Sequence, residues 1–195
     1  MIYIVGAGWY GLYASEILDK YDLDYRIIEK EKDLFFRASG HNQNRLHRGF
    51  HYPRSKITRK LCLDGYSLFL KDYEFLTKEI EKNLYAIHDN SFIDAGTYES
   101  IYKNEGYEFL DFQENISVKN CEKIFSVNER FIDPRKSILF WKSKNKNIIF
   151  ETKASYSGND FYIDDKKISK KDLVIDCSWG EIFGHRKYFS ENFIS

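Results

Sequence analysis

A complete G-x-G-x-x-G, Gly6-Ala7-Gly8-Trp9-Tyr10-Gly11, narrows the possible folds of this 195-residue chain more than any other feature. The β-branched and aromatic run Ile2-Tyr3-Ile4-Val5 before it reads as a buried strand. After it, Leu12, Ile17, Leu18 and Tyr21 recur at helical spacing, with small Ala14 and Ser15 on the first turns. Tyr25-Arg26-Ile27-Ile28-Glu29 then reads as a second strand ending in an acid, eighteen residues beyond Gly11. Strand, glycine turn, helix, strand and acid together make the context a dinucleotide-binding motif demands. In that role Gly6 permits the tight turn and Gly8 bares the backbone to a pyrophosphate, while Gly11 lets helix and sheet approach. The helix N-terminus offers amide donors and a positive dipole end to the phosphates. Glu29 accepts from the ribose hydroxyls and repels a 2′-phosphate. Two other readings of the same residues are a glycine turn in an unrelated α/β protein, with Glu29 solvated, and a βαβ unit that no longer binds a ligand.

Charge and cysteine content exclude several classes. Thirty Lys and Arg balance thirty Asp and Glu, so the basic surplus of a nucleic-acid binder is missing. Every apolar run is broken early by Asp, Glu or Lys, which predicts no membrane span, and the N-terminus lacks a signal-peptide pattern. Cys62, Cys121 and Cys177 form no CxxC pair, and reduced thiols in a cytoplasmic protein is the simpler reading. The 15 Tyr and 16 Phe, beside only 2 Pro and 1 Met, read as a bias of AT-rich coding rather than as a binding surface.

The stretch from Glu29 to Leu63 is dense in hydrogen-bonding side chains. It contains Ala38-Ser39-Gly40-His41-Asn42-Gln43-Asn44-Arg45-Leu46-His47-Arg48-Gly49-Phe50-His51-Tyr52-Pro53. Gly40-His41-Asn42, His47-x-Gly49-x-x-Tyr52, Ser55 and Leu61-Cys62-x-x-Gly65 resemble the D-amino-acid-oxidase-like FAD-dependent oxidoreductases, in the branch containing L-2-hydroxyglutarate dehydrogenase. Ser39-x-His41-x-x-x-Arg45-x-x-Arg48 is similar to the corresponding loop of sarcosine oxidases. Asp172-Leu173-Val174-Ile175-Asp176-Cys177-Ser178-Trp179-Gly180 resembles the late strand that returns to the flavin. The resemblance covers about residues 1–70 and 147–180; the middle is similar only in element order.

The resemblance implies an α/β, Rossmann-like FAD/NAD(P)-binding fold, three-layered with a mostly parallel sheet and a partial inserted substrate domain. It implies FAD held by Gly6, Ala7, Gly8, Trp9, Tyr10, Gly11, Glu29 and Lys30, by Ser39, His41, Asn42, Asn44, Arg45 and Leu46, and by Ala154, Cys177, Ser178, Trp179 and Gly180. Arg48 is suited to a substrate carboxylate and His47 to accepting a proton, although each equally fits a structural role. Two departures stand out. Ser178-Trp179 replaces the family's small Ala-Gly pair, and family members continue well beyond the equivalent of Gly180. The chain therefore resembles an N-terminal half: a truncated product, a split subunit or a reduced module.

Lys56–Tyr73 reads as a helix with Ile57, Leu61, Leu68 and Phe69 near one face. Asn83–His88 reads as a strand, a helix capped by Asp94 or Thr97 runs to about Lys103, and 115–127 reads as short strands. Asp133-Pro134 opens a helix, Asn147–Lys153 is a strand, and Gly158-Asn159-Asp160 is a hairpin turn before Phe161-Tyr162-Ile163. Lys166-Lys167 and Lys170-Lys171 form a solvated edge. The expected layout is a dinucleotide-binding part at 1–70 plus 147–185 and a partial substrate domain at 71–146. His41, His47 and His51 invite a metal reading, but Arg45, Arg48 and Arg54 oppose a cation there and no carboxylate nearby in sequence completes a ligand set, so no metal is expected.

The leading expectation is an FAD-binding oxidoreductase moving a hydride from a small amino or hydroxy acid to flavin. The first alternative is a non-catalytic dinucleotide-binding module needing a partner chain or oligomer to complete its site. The second is an NAD-dependent enzyme, in which Ser39–Tyr52 has no role.

Overall fold

The computed structural model describes residues 1–110, 116 and 118–182. In chain order it carries β1 (Ile2–Val5), α1 (Trp9–Lys20), β2 (Tyr25–Ile28), β3 (Arg45–Leu46), α2 (Lys56–Tyr73), β4 (Thr77–Glu79), β5 (Leu84–His88) and α3 (Ala95–Asn104). There follow β6 (Cys121–Ser126), β7 (Arg130–Ile132), α4 (Pro134–Lys144), β8 (Ile148–Ile149), β9 (Ala154–Ser157), β10 (Asp160–Ile163), β11 (Lys166–Lys167) and β12 (Leu173–Asp176). These elements divide into two compact units, one of residues 1–43 with the segment from 134 onward, the other of residues 44–133.

The first unit is built on a four-stranded, all-parallel sheet in the order β12-β1-β2-β8. Parallel strands joined by helices are covered on both faces, so they carry apolar runs rather than strict alternation. Ile4, Val5, Ile27 and Ile28 are accordingly all buried. The βαβ order and the late strand beside β1 make this a Rossmann-like dinucleotide-binding fold. The helix starts earlier than its apolar spacing predicts, at Trp9 inside the glycine motif. Strand β8 is shorter than the expected 147–153. Glu151 turns left-handed (φ 53°), and its amide and that of Thr152 donate to the carbonyls of Glu31 and Glu29. A three-stranded antiparallel sheet, β11-β10-β9, turns at Gly158-Asn159, both left-handed, with the exposed Lys166-Lys167 at its edge.

The units divide at 43/44 and 133/134, not at the expected 70/71 and 146/147. Two long-range interactions accord with this division. Helix α4 is tied into the first unit where Asn145 Nδ2 donates to the buried Ser15 Oγ at 2.7 Å. Strand β3 pairs antiparallel with β7, which carries the 44–70 segment into the second unit. Part of the expected 115–127 strand region and the end of 147–185 lie outside the described residues.

The second unit holds the antiparallel sheet β3-β7-β4, the β5-β6 pair and a core of aromatic rings. Phe50, Tyr85, Tyr98, Tyr102, Tyr107 and Phe125 are all buried there. The phenols of Tyr107, Tyr102 and Tyr98 donate in turn to the carbonyls of Arg48, Gly49 and Phe50, at 2.9, 3.0 and 2.9 Å. Helix α2 corrects an expectation: Ile57, Leu61 and Leu68 are 76%, 67% and 64% exposed, and the helix buries Arg59 and Tyr73 instead. The Arg59 guanidinium donates to both oxygens of Glu105 and to the carbonyls of Tyr52 and Pro53. Four well-formed bonds outweigh the cost of burying this cation. Among the described residues no helix is long and apolar enough to cross a membrane.

A pH dependence follows from the Arg59 pair. Its hydrogen bonds hold the Glu105 carboxyl below its ordinary value of 4.5. Stability from this pair is fully present above that value and is lost as the pH falls through the lowered folded value. Urea unfolding across an acid series should show this loss below about pH 4.5, and Glu105→Gln should flatten it. An unchanged slope in the variant would assign the acid sensitivity elsewhere.

Candidate functional site

A cleft of about 870 Å³ lies in the first unit at the C-terminal ends of β1, β2 and β12. Ligands of open parallel sheets bind at these ends, where loops leave the strands. Gly6 turns the chain out of β1 at φ +103°, a conformation open to glycine, and its amide donates to the Ile28 carbonyl at 2.9 Å. Across the sheet, the Cys177 amide donates to the Val5 carbonyl at 2.9 Å, bringing the end of β12 against the turn.

Glu29 is the buried acid of the site. Its Oε2 accepts from the Ala7 amide at 2.7 Å and its Oε1 from the Glu31 amide at 2.9 Å. The carboxylate thus braces the glycine loop, and each oxygen retains acceptor capacity toward the cleft. Ser39 braces the other side, where its Oγ accepts from the Trp9 amide at 3.1 Å and supplies the helix cap that Gly8 lacks. A Cβ on Gly8 would stand 2.8 Å from that oxygen, so the bare glycine lets Ser39 close on the loop at the cleft wall. Trp9 stacks on Phe35 at 5.0 Å, which leaves its neighbour Tyr10 exposed on the cleft wall.

Of the residues expected at a cofactor, Gly6, Gly8, Trp9, Tyr10, Glu29, Lys30, Ser39, Ala154, Cys177, Ser178 and Trp179 line this cleft. Ala7 is buried behind it, and Gly11 lies on the buried face of α1, against Gly6 and Ile4. His41 and Asn42 turn back onto their own loop, meeting the carbonyls of Arg37 and Ala38 at 3.1 and 2.7 Å. Trp179 is left-handed (φ 65°) and 85% exposed, and Gly180 follows at φ 70°. Lys30 pairs with Glu181 at 2.5 Å, which holds that carboxyl below its ordinary range. Burial, with Asp176 adding to it, pushes the Cys177 thiol up, which does not suit a nucleophile.

Asn44, Arg45, Leu46, His47 and Arg48 belong to the second unit. Arg45, His47 and Arg48 meet at a carboxylate that the sequence pattern did not single out, that of Glu129, which is wholly buried. Glu129 accepts from the Arg48 amide at 2.8 Å, from Tyr85 Oη at 3.0 Å and from Asn83 Nδ2 at 3.1 Å. Arg45 Nη1 lies 3.7 Å from it and donates to Tyr85 Oη at 2.9 Å. The Arg48 guanidinium sits over the Tyr66 and Tyr107 rings at 5.7 and 6.0 Å. Burial pushes both His47 and His51 below the ordinary imidazole value, which favours the uncharged ring, while Glu129 opposes it. No local spacing announces Glu129, because its partners stand 44 to 81 positions away along the chain.

Comparison with known proteins agrees with this geometry. Residues 4–58 match the NAD(P)-binding Rossmann-like domain. The chain is 30% identical over 181 residues to an FAD-dependent monooxygenase of Fusarium mangiferae, covering 91% of this chain and 49% of that protein. It is 27% identical over 147 residues to the mitochondrial L-2-hydroxyglutarate dehydrogenase of Nematostella vectensis, covering 71% of this chain and 31% of the other. Glycine oxidase from Geobacillus kaustophilus shares the fold with a TM-score of 0.67 at 13% identity, over 96% of this chain and 58% of the oxidase. FAD-bound L-alpha-glycerophosphate oxidase from Mycoplasma pneumoniae does so with a TM-score of 0.63 at 18% identity, over 89% and 51%. The chain thus spans half or less of the length of these two sequence relatives.

Proposed function

We propose that this chain, a relative of the FAD-dependent oxidoreductases, holds FAD in the cleft of its first unit and serves the oxidation of a small amino or hydroxy acid. The observation that carries this reading is the buried Glu29 carboxylate beside the left-handed Gly6 and the amide end of α1. That donor and acceptor set suits an adenosine ribose and a pyrophosphate. When bound, FAD supplies the hydride acceptor. Glu29 orients the ribose, while Ser39 and Lys30 hold the loop edges around the cofactor. In the second unit, Arg45 and Arg48 are suited to an anionic carboxylate, and uncharged His47 to a proton from the substrate's hydroxyl or amino group.

The three free cysteines accord with a cytoplasmic setting.

The test is an absorption spectrum of the purified protein, with and without added FAD, followed by identification of any nucleotide released on heating. A retained or acquired flavin spectrum is expected. Protein that takes up no flavin under any condition would sink the assignment. Bound flavin without turnover of amino or hydroxy acids would limit the function of these residues to dinucleotide binding.

A further inference from the structure

The buried Glu129 lies outside the cofactor motif, and its surroundings are organised around its charge. Fully removing a carboxylate from water is expensive unless donors replace the lost hydration. Here the donors are the Arg48 amide, Tyr85 Oη and Asn83 Nδ2, with Arg45 Nη1 at 3.7 Å and His47 Nδ1 at 3.9 Å. Two kinds of restraint hold the loop around it. Tyr107, Tyr102 and Tyr98 pin the carbonyls of residues 48–50, and strand β3 pairs with β7 next to Glu129. Tyr85 relays between the charges, accepting from Arg45 and donating to Glu129. Among the described residues the buried His47 Nδ1 has no hydrogen-bond partner, and the His47 ring lies 5.1 Å from that of His51.

We propose that Glu129 is a positioning residue, whose buried carboxylate holds Arg45 and His47 together as a cation beside an imidazole. For the ligand this pair meets, the inference rests on the function proposed above. For the pair itself it rests on the geometry of the second unit alone. A carboxylate without this role would serve only to bond Asn83, Tyr85 and the Arg48 amide, and glutamine would replace much of it.

The groups facing His47 are Glu129, His51 and Arg45. Glu129 favours the charged imidazole, whereas burial and the other two groups oppose it. Neutralising Glu129 therefore lowers the His47 midpoint further, and removing the Arg45 charge raises it. The experiment is an NMR titration of the histidine rings in the full chain, for wild type, Glu129→Gln, Glu129→Asp and Arg45→Gln. His47→Asn identifies the resonance, and circular dichroism checks the fold. Glu129→Gln should move the His47 midpoint down by roughly 0.5–1 pH unit, and Glu129→Asp should restore most of it. Arg45→Gln should move it the opposite way, and it carries the test alone if Glu129→Gln does not fold. A folded Glu129→Gln with an unmoved His47 midpoint, or an unmoved midpoint in Arg45→Gln, would overturn the proposal. No flavin enters the measurement, so the two readings fail separately. Loss of flavin binding with intact His47 shifts would refute the cofactor assignment and leave the positioning role standing.

Discussion

Replacing Gly11 by alanine is expected to destabilise the first unit by about 3 kcal/mol, read as a fall in the urea midpoint. An added Cβ would overlap the carbonyl oxygen of Gly6, with Ile4 Cγ2 only 3.3 Å away. Relief by a small backbone shift is blocked on both sides. The Gly6 amide is bonded to Ile28, and a Cβ on Gly6 would already stand 2.8 Å from the Cys177 carbonyl. The helix must move off β1, with loss of close packing around Ile4 and Leu12. The control is Gly65→Ala on the exposed side of α2, where nothing lies within 4 Å of the added carbon. The same chemical change there should stabilise by about 0.5–1 kcal/mol, because alanine is the better helix former. Equal effects at the two sites would contradict the close approach of α1 to the glycine turn.

Glu29→Ala is expected to cost about 3 kcal/mol and to weaken FAD binding at least roughly tenfold. The stability loss arises because the amides of Ala7 and Glu31 both lose their acceptor, and Ala7 has no exposure to water. Glu29→Gln separates the two effects. Its carbonyl can serve one amide, but its NH2 group must face the other donor, so part of the stability returns while ribose recognition stays impaired. Unfolding curves and flavin titration on the same preparations measure both quantities. A variant with unchanged flavin affinity would remove Glu29 from the cofactor site and leave it as a brace of the loop.

The glycine motif, strand β1 and the acid after β2 were all legible in the sequence, as were the 56–73 helix and the Asp94 cap, whose carboxylate accepts from the Thr97 amide at 2.8 Å. Each is written in residues a few positions apart, through strand runs, turn chemistry or helical spacing, and the backbone there obeys local rules. Periodicity misled where it was read as burial. Ile57, Leu61 and Leu68 lie on one face of α2, yet that face is exposed, and the helix is anchored by a buried arginine. The abundance of tyrosine, which read as coding bias, has a structural use in the three phenols that hold residues 48–50.

By itself, then, the sequence determined a Rossmann-like βαβ unit with a carboxylate at the end of its second strand, because turn, helix and strand propensities are settled within about thirty residues. The tertiary structure alone decided where the two units divide, that Ser39 caps α1, and that Glu129 gathers Arg45, His47 and Tyr85. Those outcomes depend on which distant donors and acceptors meet once the chain is compact. A buried polar group takes whatever partner the packing brings, and no spacing along the chain records that choice.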